Sequence, residues 1–76
     1  MEKHLNIKIS GLVQGVFFRV SVKEEAEKLG IKVSARNETD GSVCIEAEGE
    51  EESLEKFVKW CHVGPPLAKV DKVEVY

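Results

Sequence analysis

The sequence predicts an α+β sandwich, in which a four-stranded antiparallel sheet carries two helices on one face. Apolar residues recur with a period of two in four short segments and with a helical period in two others. These segments follow one another in the order β-α-β-β-α-β, without a linker, a repeat or a low-complexity tract. We expect residues 1–76 to form a single domain, because a chain of this length buries only one small core.

The N-terminal part predicts a strand, a turn and a helix. The strand alternates apolar with polar residues, and its apolar positions are Leu5, Ile7 and Ile9. A turn over Gly11–Phe18 follows. The helix has apolar residues at helical spacing, which are Phe18, Val22, Ala26 and Leu29. Charged residues between them, including Lys23, predict a solvated helix face, and Gly30 is a typical C-terminal stop.

The middle of the chain predicts a β-hairpin. The second strand has its apolar positions at Ile31, Val33 and Ala35 and runs towards Asn37. The Asp-Gly pair within Thr39–Ser42 is a turn signal. The third strand has its buried face at Val43, Ile45 and Ala47, and we expect it to end at Gly49.

The C-terminal part predicts a second helix and a fourth strand. The helix has apolar residues at i, i+3, i+4 and i+7, which are Leu54, Phe57, Val58 and Cys61. Glutamates 50–52 suit the positive end of its dipole, and we expect Gly64–Pro66 to terminate it. The strand has its apolar positions at Val70, Val73 and Val75. This order of elements is the ferredoxin-like arrangement.

Charge and composition argue against several classes of function. The net charge of −3 lacks the basic excess of a general nucleic-acid binder. No apolar run could span a bilayer, and the N-terminus lacks the apolar stretch of a signal peptide, so we expect a cytoplasmic protein with neither a membrane nor a nucleic-acid partner. Cys44 and Cys61 are predicted on opposite sides of the sheet and should be free thiols, and their spacing fits no zinc motif.

The segment Gly11–Arg19, with the sequence GLVQGVFFR, is the strongest functional signal. It places a glycine-bounded turn before a helix N-terminus, where backbone N–H groups converge on an anion. Arg19 adds a fork of donors matched to phosphate or carboxylate oxygens, and a bound anion would offset its unfavourable position at the positive end of the helix. Gly11 and Gly15 suit special backbone conformations. Gln14 either donates its amide to the anion or caps the turn.

Asn37 is the second candidate. It ends a strand that runs parallel to the first one, so the C-terminal ends of both strands open on one edge of the sheet and Asn37 can share a site with Arg19. Its amide could orient a water molecule beside a phosphoryl group. Alternatively, it bonds the local backbone, as asparagines before turns commonly do. Spacing alone does not favour the catalytic role.

Three segments resemble the acylphosphatase family. Gly11–Arg19 resembles its first signature, and Arg36–Val43, with the sequence RNETDGSV, resembles its second. Gly64–Val70 is similar to the segment that leads into the family's fourth strand, so the resemblance covers most of the chain. It implies an enzyme that hydrolyses the carboxyl–phosphate bond of a small acyl phosphate, without a metal or another cofactor.

The resemblance also implies a role for each site residue. The phosphoryl group would be bound by the Arg19 side chain and by loop amides, those of Gln14, Gly15, Val16, Phe17, Phe18 and Arg19. Asn37 would position the attacking water. So sparse a site suits the chemistry, because a carboxylate leaving group with a pKa of about 4 needs no general acid. The loose transition state of phosphoryl transfer mainly requires positioning and charge stabilisation.

The chain departs from the family at two places. The family usually has a glycine, an aromatic residue and a valine before its Arg-Asn pair, where this chain has Val33, Ser34 and Ala35. The family commonly continues past its fourth strand, whereas this sequence stops at Tyr76, which would leave an exposed strand edge. We expect a monomer, with a dimer formed through that edge as the alternative.

Two other functions are open at this point. The same anion site could belong to a non-catalytic regulatory module, which would not need the amide of Asn37. RNA-binding domains can share this topology, but they stack bases on aromatic residues of the sheet. Here the predicted open face offers at most Tyr76 and carries Glu46 and Glu48, which repel phosphates.

Overall fold

The computed structural model describes residues 2–76 and confirms the predicted α+β architecture. Its elements are β1 (Glu2–Leu12), α1 (Phe18–Leu29), β2 (Lys32–Asn37), β3 (Val43–Glu50), α2 (Glu51–Cys61) and β4 (Lys69–Val75). The four strands form one antiparallel sheet in the order β2-β3-β1-β4. Within residues 2–76, neither helix is long and apolar enough to cross a membrane.

The core lies between the sheet and the two helices, where the predicted apolar faces meet. Its largest fully buried side chains are Phe18, Phe57, Ile7, Ile9, Ile45, Val13, Val22, Val43 and Cys61. Trp60 borders this core, with ring centroids 5.7 Å from Phe18 and 6.0 Å from Phe57. Cys61 is buried and Cys44 half-buried, and both are free thiols, as predicted.

Strand β1 continues further than predicted, because Gly11 belongs to it. The register between β1 and β4 shifts between Ser10 and Gly11, so the strand bends there and still pairs with β4 at Leu12. Gly11 has a φ of 128°, and a Cβ at this position would overlap the carbonyl oxygen of Lys69. Glycine at this position therefore permits close backbone approach, and the turn starts only after Leu12.

Gly49 does not end β3, contrary to the sequence-based expectation. It lies inside the strand opposite Lys3, and a Cβ there would come to 2.5 Å from Cγ2 of Ile31. The glycine makes room for that side chain, and β3 continues directly into α2 through Glu50. The helix also ends earlier than expected, at Cys61, before Gly64–Pro66.

Strand β3 separates the two strands that lead to the candidate site. Because β3 is antiparallel to both β1 and β2, those two strands run in the same direction. Their C-terminal ends share one edge of the sheet. The segment after β1, residues 13–17, therefore lies near the turn after β2, residues 38–42.

Candidate active site

Left-handed backbone shapes the loop between β1 and α1. Gly15 has a φ of 72°, and Phe17, immediately before α1, has a φ of 59°. Glycine adopts this conformation freely, whereas for phenylalanine it costs about 1–2 kcal/mol. The Phe17 side chain is 74% exposed, so its own burial does not offset that strain. Strain of this kind, held in place by its surroundings, is typical of functional loops.

The same loop presents unpaired backbone donors. Within residues 2–76, the N–H groups of residues 15–19 donate no hydrogen bond, and the first bond of α1 runs from the Ser21 N–H to the Phe17 carbonyl at 3.1 Å. Free N–H groups at a helix start carry partial positive charge. This end of α1 is therefore suited to an anion.

A pocket of about 370 Å³ opens beside these N–H groups. It is lined by Val13, Gly15, Phe17, Phe18, Arg19, Val20, Lys23, Ala35 and Asn37. Arg19 and Asn37 come from different elements, α1 and the end of β2, yet both face this one space. The sheet topology brings them together, because β1 and β2 end on the same edge.

The pocket is positively charged and lacks a carboxylate among its lining residues. Arg19 and Lys23 supply the positive charge, and neither forms an ion pair within the described chain. Lys23 is exposed, as predicted for the solvated face of α1, and it also lines the pocket. The spacing of four residues from Arg19 indicates that Lys23 shares the pocket with Arg19, since residues at i and i+4 lie on the same helix face.

Gln14 connects the loop to the turn after β2. Its side-chain Nε2 donates hydrogen bonds to the carbonyl oxygens of Glu38, at 2.8 Å, and Ser42, at 2.9 Å. The side chain thus holds the turn, which decides between the two roles left open for it. The contribution of the Gln14 backbone amide to anion binding stays a prediction.

The turn after β2 is held by its own hydrogen bonds. The Glu38 N–H donates to the Ser42 carbonyl at 2.8 Å, and the Asp40 carboxylate accepts from the Ser42 hydroxyl and N–H. These bonds, with the Lys8 ammonium 3.0 Å away, hold the pKa of Asp40 well below its usual range. The turn directly follows Asn37, so its rigidity fixes the end of the strand that carries the amide.

A second network supports Asn37 from the open face of the sheet. The Glu38 carboxylate accepts a hydrogen bond from the Cys44 thiol and another from Arg36 Nε, at 3.1 Å, and both lower its pKa. Burial and the Glu38 carboxylate raise the pKa of Cys44, so this thiol stays protonated and is a poor nucleophile. Sequence patterns did not indicate this network, because its members are ordinary surface residue types.

The Asn37 carboxamide itself makes no hydrogen bond to the described residues. It can therefore both donate to and accept from a molecule in the pocket. Residues 2–76 contain no group of three His, Cys, Asp or Glu side chains arranged to hold a metal ion. The arrangement combines a cationic anion-binding end with one neutral amide that can orient water.

Comparison with known proteins finds a family model, protein sequences and a solved structure that all carry the same family name. A family model described as Acylphosphatase matches residues 5–76. The acylphosphatase of Rubrobacter xylanophilus is 49% identical over 73 residues, which cover 96% of this chain and 66% of that protein. The acylphosphatase of Anaeromyxobacter dehalogenans is 52% identical over 69 residues, covering 91% and 74%. A solved acylphosphatase from Coxiella burnetii superposes with a TM-score of 0.94 at 39% identity, covering 99% of this chain and 79% of that one.

Proposed function

The chain belongs to the acylphosphatase family and hydrolyses acyl phosphates, and we propose that Arg19, Asn37 and the amides of residues 14–19 perform the reaction. The observation that carries this proposal is the shared pocket, which Arg19 and Asn37 enter from two different elements. The family relationship supports hydrolysis and gives no support to a non-catalytic anion-binding module.

Binding of the phosphoryl group comes first. Its non-bridging oxygens accept from the loop N–H groups, which have no competing partner in the described chain. The Arg19 guanidinium donates two parallel hydrogen bonds to a pair of these oxygens, because its planar fork matches phosphate geometry. These donors also stabilise the equatorial oxygens in the transition state, where charge stabilisation supplies most of the catalysis.

The hydrolytic step needs only a positioned water. The Asn37 carboxamide holds a water on the side of phosphorus opposite the acyl oxygen. The water oxygen bonds to phosphorus while the bond between phosphorus and the bridging oxygen breaks, and that electron pair leaves on the carboxylate. Both protons of the water stay on the phosphate product. The carboxylate leaves unprotonated because the pKa of its acid is about 4.

Substitution of Arg19 and Asn37 tests these roles. We expect Asn37→Ala to reduce kcat for acetyl phosphate by about 100-fold, the size of the loss when one transition-state hydrogen-bond donor is removed. It should keep the affinity for inorganic phosphate, because the amide acts on the water. Arg19→Ala should lose both turnover and phosphate affinity, and Arg19→Lys should recover only part of each, because an ammonium lacks the planar fork.

Thermal unfolding with inorganic phosphate separates binding from turnover. A ligand at ten times its Kd stabilises the folded state by about 1.4 kcal/mol, which raises the Tm of a domain this small by several degrees. The wild type and Asn37→Ala should show this shift, whereas Arg19→Ala should not. Full acetyl phosphate turnover in Arg19→Ala would disprove the assignment of the site.

We also propose that the enzyme acts as a monomer in the cytoplasm. Its two thiols, at Cys44 and Cys61, are unpaired, which suits a reducing compartment. Light scattering on the eluted peak of a sizing column measures the mass in solution. A mass of twice 8.5 kDa would instead support the dimer alternative.

A further inference from the structure

We propose that Lys23 makes this enzyme selective for acyl phosphates whose acyl group carries a second negative charge, a carboxylate or a phosphate. The inference rests on the proposed function, since it concerns the far end of the same pocket. The cavity of about 370 Å³ corresponds to roughly twelve water molecules at about 30 Å³ each. That is more space than a phosphoryl group needs, so the pocket also receives the acyl group.

Lys23 lies beside the space that remains for the acyl group once the phosphoryl group is bound at Arg19 and the loop amides. Lys23 lies one helical turn after Arg19, so the two Cβ atoms are about 5–6 Å apart on one face of α1. Side chains on a helix lean towards its N-terminus, which directs the Lys23 stem over the turn that holds Arg19. Lys23 accordingly lines the pocket, one turn further along α1 than the phosphoryl-binding end.

The charge of Lys23 has no counterpart within the described chain. Its ammonium forms no ion pair among residues 2–76, and no carboxylate lines the pocket. Of the acidic residues on α1, Glu24 and Glu25 line a separate cleft together with Lys28. Glu27, four residues after Lys23, forms no ion pair with it. A chain with a net charge of −3 thus concentrates two unpaired cations in one pocket.

The two cations serve different ends of the substrate. Arg19 and the loop amides already complement the phosphoryl group, so Lys23 is available to a second anion. Val13 and Val20 provide apolar lining for the intervening carbon atoms. A neutral acyl group would leave the Lys23 ammonium in water, whereas a distal carboxylate or phosphate would pair with it.

Two substrates with the same carbon skeleton test this selectivity. Fumaroyl monophosphate carries a distal carboxylate where crotonoyl phosphate carries a methyl group, and its trans double bond prevents internal attack on the anhydride. The measured quantity is the ratio of kcat/KM for fumaroyl monophosphate to kcat/KM for crotonoyl phosphate. Differences in intrinsic reactivity cancel when this ratio is compared between variants.

We expect Lys23→Gln to lower the ratio about three- to fivefold at low ionic strength, the size of a partly exposed ion pair. The loss of kcat/KM should be larger for fumaroyl monophosphate than for crotonoyl phosphate. Lys23→Arg should keep the ratio, and Lys23→Glu should lower it further. Lys56→Gln, an exposed position on α2, is the control for net charge and should have no effect. Added salt should shrink the wild-type preference.

The possible results distinguish the role of Lys23 from the proposed hydrolysis of acyl phosphates. An unchanged ratio in Lys23→Gln, or an equal loss with both substrates, overturns the role of Lys23 while leaving hydrolysis intact. If the wild type hydrolysed neither crotonoyl phosphate nor acetyl phosphate, the proposed function would instead be refuted. A third substrate with a phosphonate in place of the distal carboxylate shows which of the two anions Lys23 prefers.

Discussion

At the scale of single residues, Gln14 and Phe17 show how the loop is prepared for a ligand. The Gln14 side-chain amide donates hydrogen bonds to two carbonyl groups of the turn after β2, at 2.8 and 2.9 Å. These bonds fix the distance between the loop before α1 and the end of β2. Phe17 holds a left-handed backbone that favours glycine. Both residues therefore act on the geometry of the site.

Removal of the Gln14 amide should loosen the site. In Gln14→Met, a side chain of similar length loses both hydrogen bonds, so we expect the free energy of unfolding to fall by about 1–3 kcal/mol. We also expect kcat for acetyl phosphate to fall about tenfold, because small displacements of positioning groups slow catalysis strongly. Urea unfolding and steady-state kinetics measure the two effects. Unchanged kinetics in a destabilised variant would restrict Gln14 to a structural role.

The two candidate residues were reached by different routes. Arg19 was identifiable because its side chain suits an anion at a helix N-terminus, whereas spacing alone did not favour a catalytic role for Asn37, which came from the family resemblance. The convergence of parallel strand ends predicted that the two share one space, and the structure brings both to one pocket. The partners of the Gln14 side chain could not be predicted, since its acceptors are backbone carbonyls, which every residue possesses. The thiol of Cys44 on β3 meets the carboxylate of Glu38, which directly follows β2, and a single sequence does not specify the exact register of these two strands.

At the scale of elements, the periodicity of apolar residues predicted all six helices and strands. The errors concern Gly11 and Gly49, because local sequence patterns predict that a strand ends at such a glycine. In the structure both lie within strands, because a distant segment approaches each of them closely: the Lys69 backbone at Gly11 and the Ile31 side chain at Gly49. Such contacts belong to tertiary structure, and local patterns do not reveal them.

Two glycines with left-handed backbone should respond differently to alanine. Gly11→Ala should lower the free energy of unfolding by roughly 3 kcal/mol, because its Cβ would overlap the Lys69 carbonyl oxygen and lie 2.8 Å from the Asp71 nitrogen. Gly30→Ala, with a φ of 70° and open space around the Cβ, should lose only about 1 kcal/mol. Denaturant titration measures both. Equal losses would mean that the pairing of β1 with β4 does not need this close approach.

At the scale of the whole molecule, one small core supports every element of the site. Its stability depends on pH through the buried thiol of Cys61, whose pKa burial raises from 9.0 to about 12. Below pH 9 the thiol is protonated in both states and the full stability is present. Above pH 9 the unfolded state loses the proton first, so stability falls as the pH rises towards 12.

Alkaline unfolding therefore tests the burial of Cys61. Between pH 9 and about 10.5 the wild type should lose about 2 kcal/mol more than Cys61→Ala, which has no thiol to titrate. The variant is less stable at neutral pH because of the cavity that it creates, but its profile should be flatter. The measurement is the urea midpoint at each pH. Parallel profiles would show that the thiol gains access to water in the folded state.

The place of β3 in the sheet has a consequence for how turnover first arises. The carboxamide lies at the end of β2, and the guanidinium lies on α1, which follows β1. Strands β1 and β2 do not pair with each other, and β3, which lies between them in the sheet, comes later in the sequence than both. A chain that has collapsed without inserting that strand holds two disconnected fragments of a catalyst. When denaturant is diluted away, the onset of product formation therefore marks the moment at which the β2–β3 hairpin pairs with β1. Compaction of the chain before that moment yields no product and is not detected by the assay.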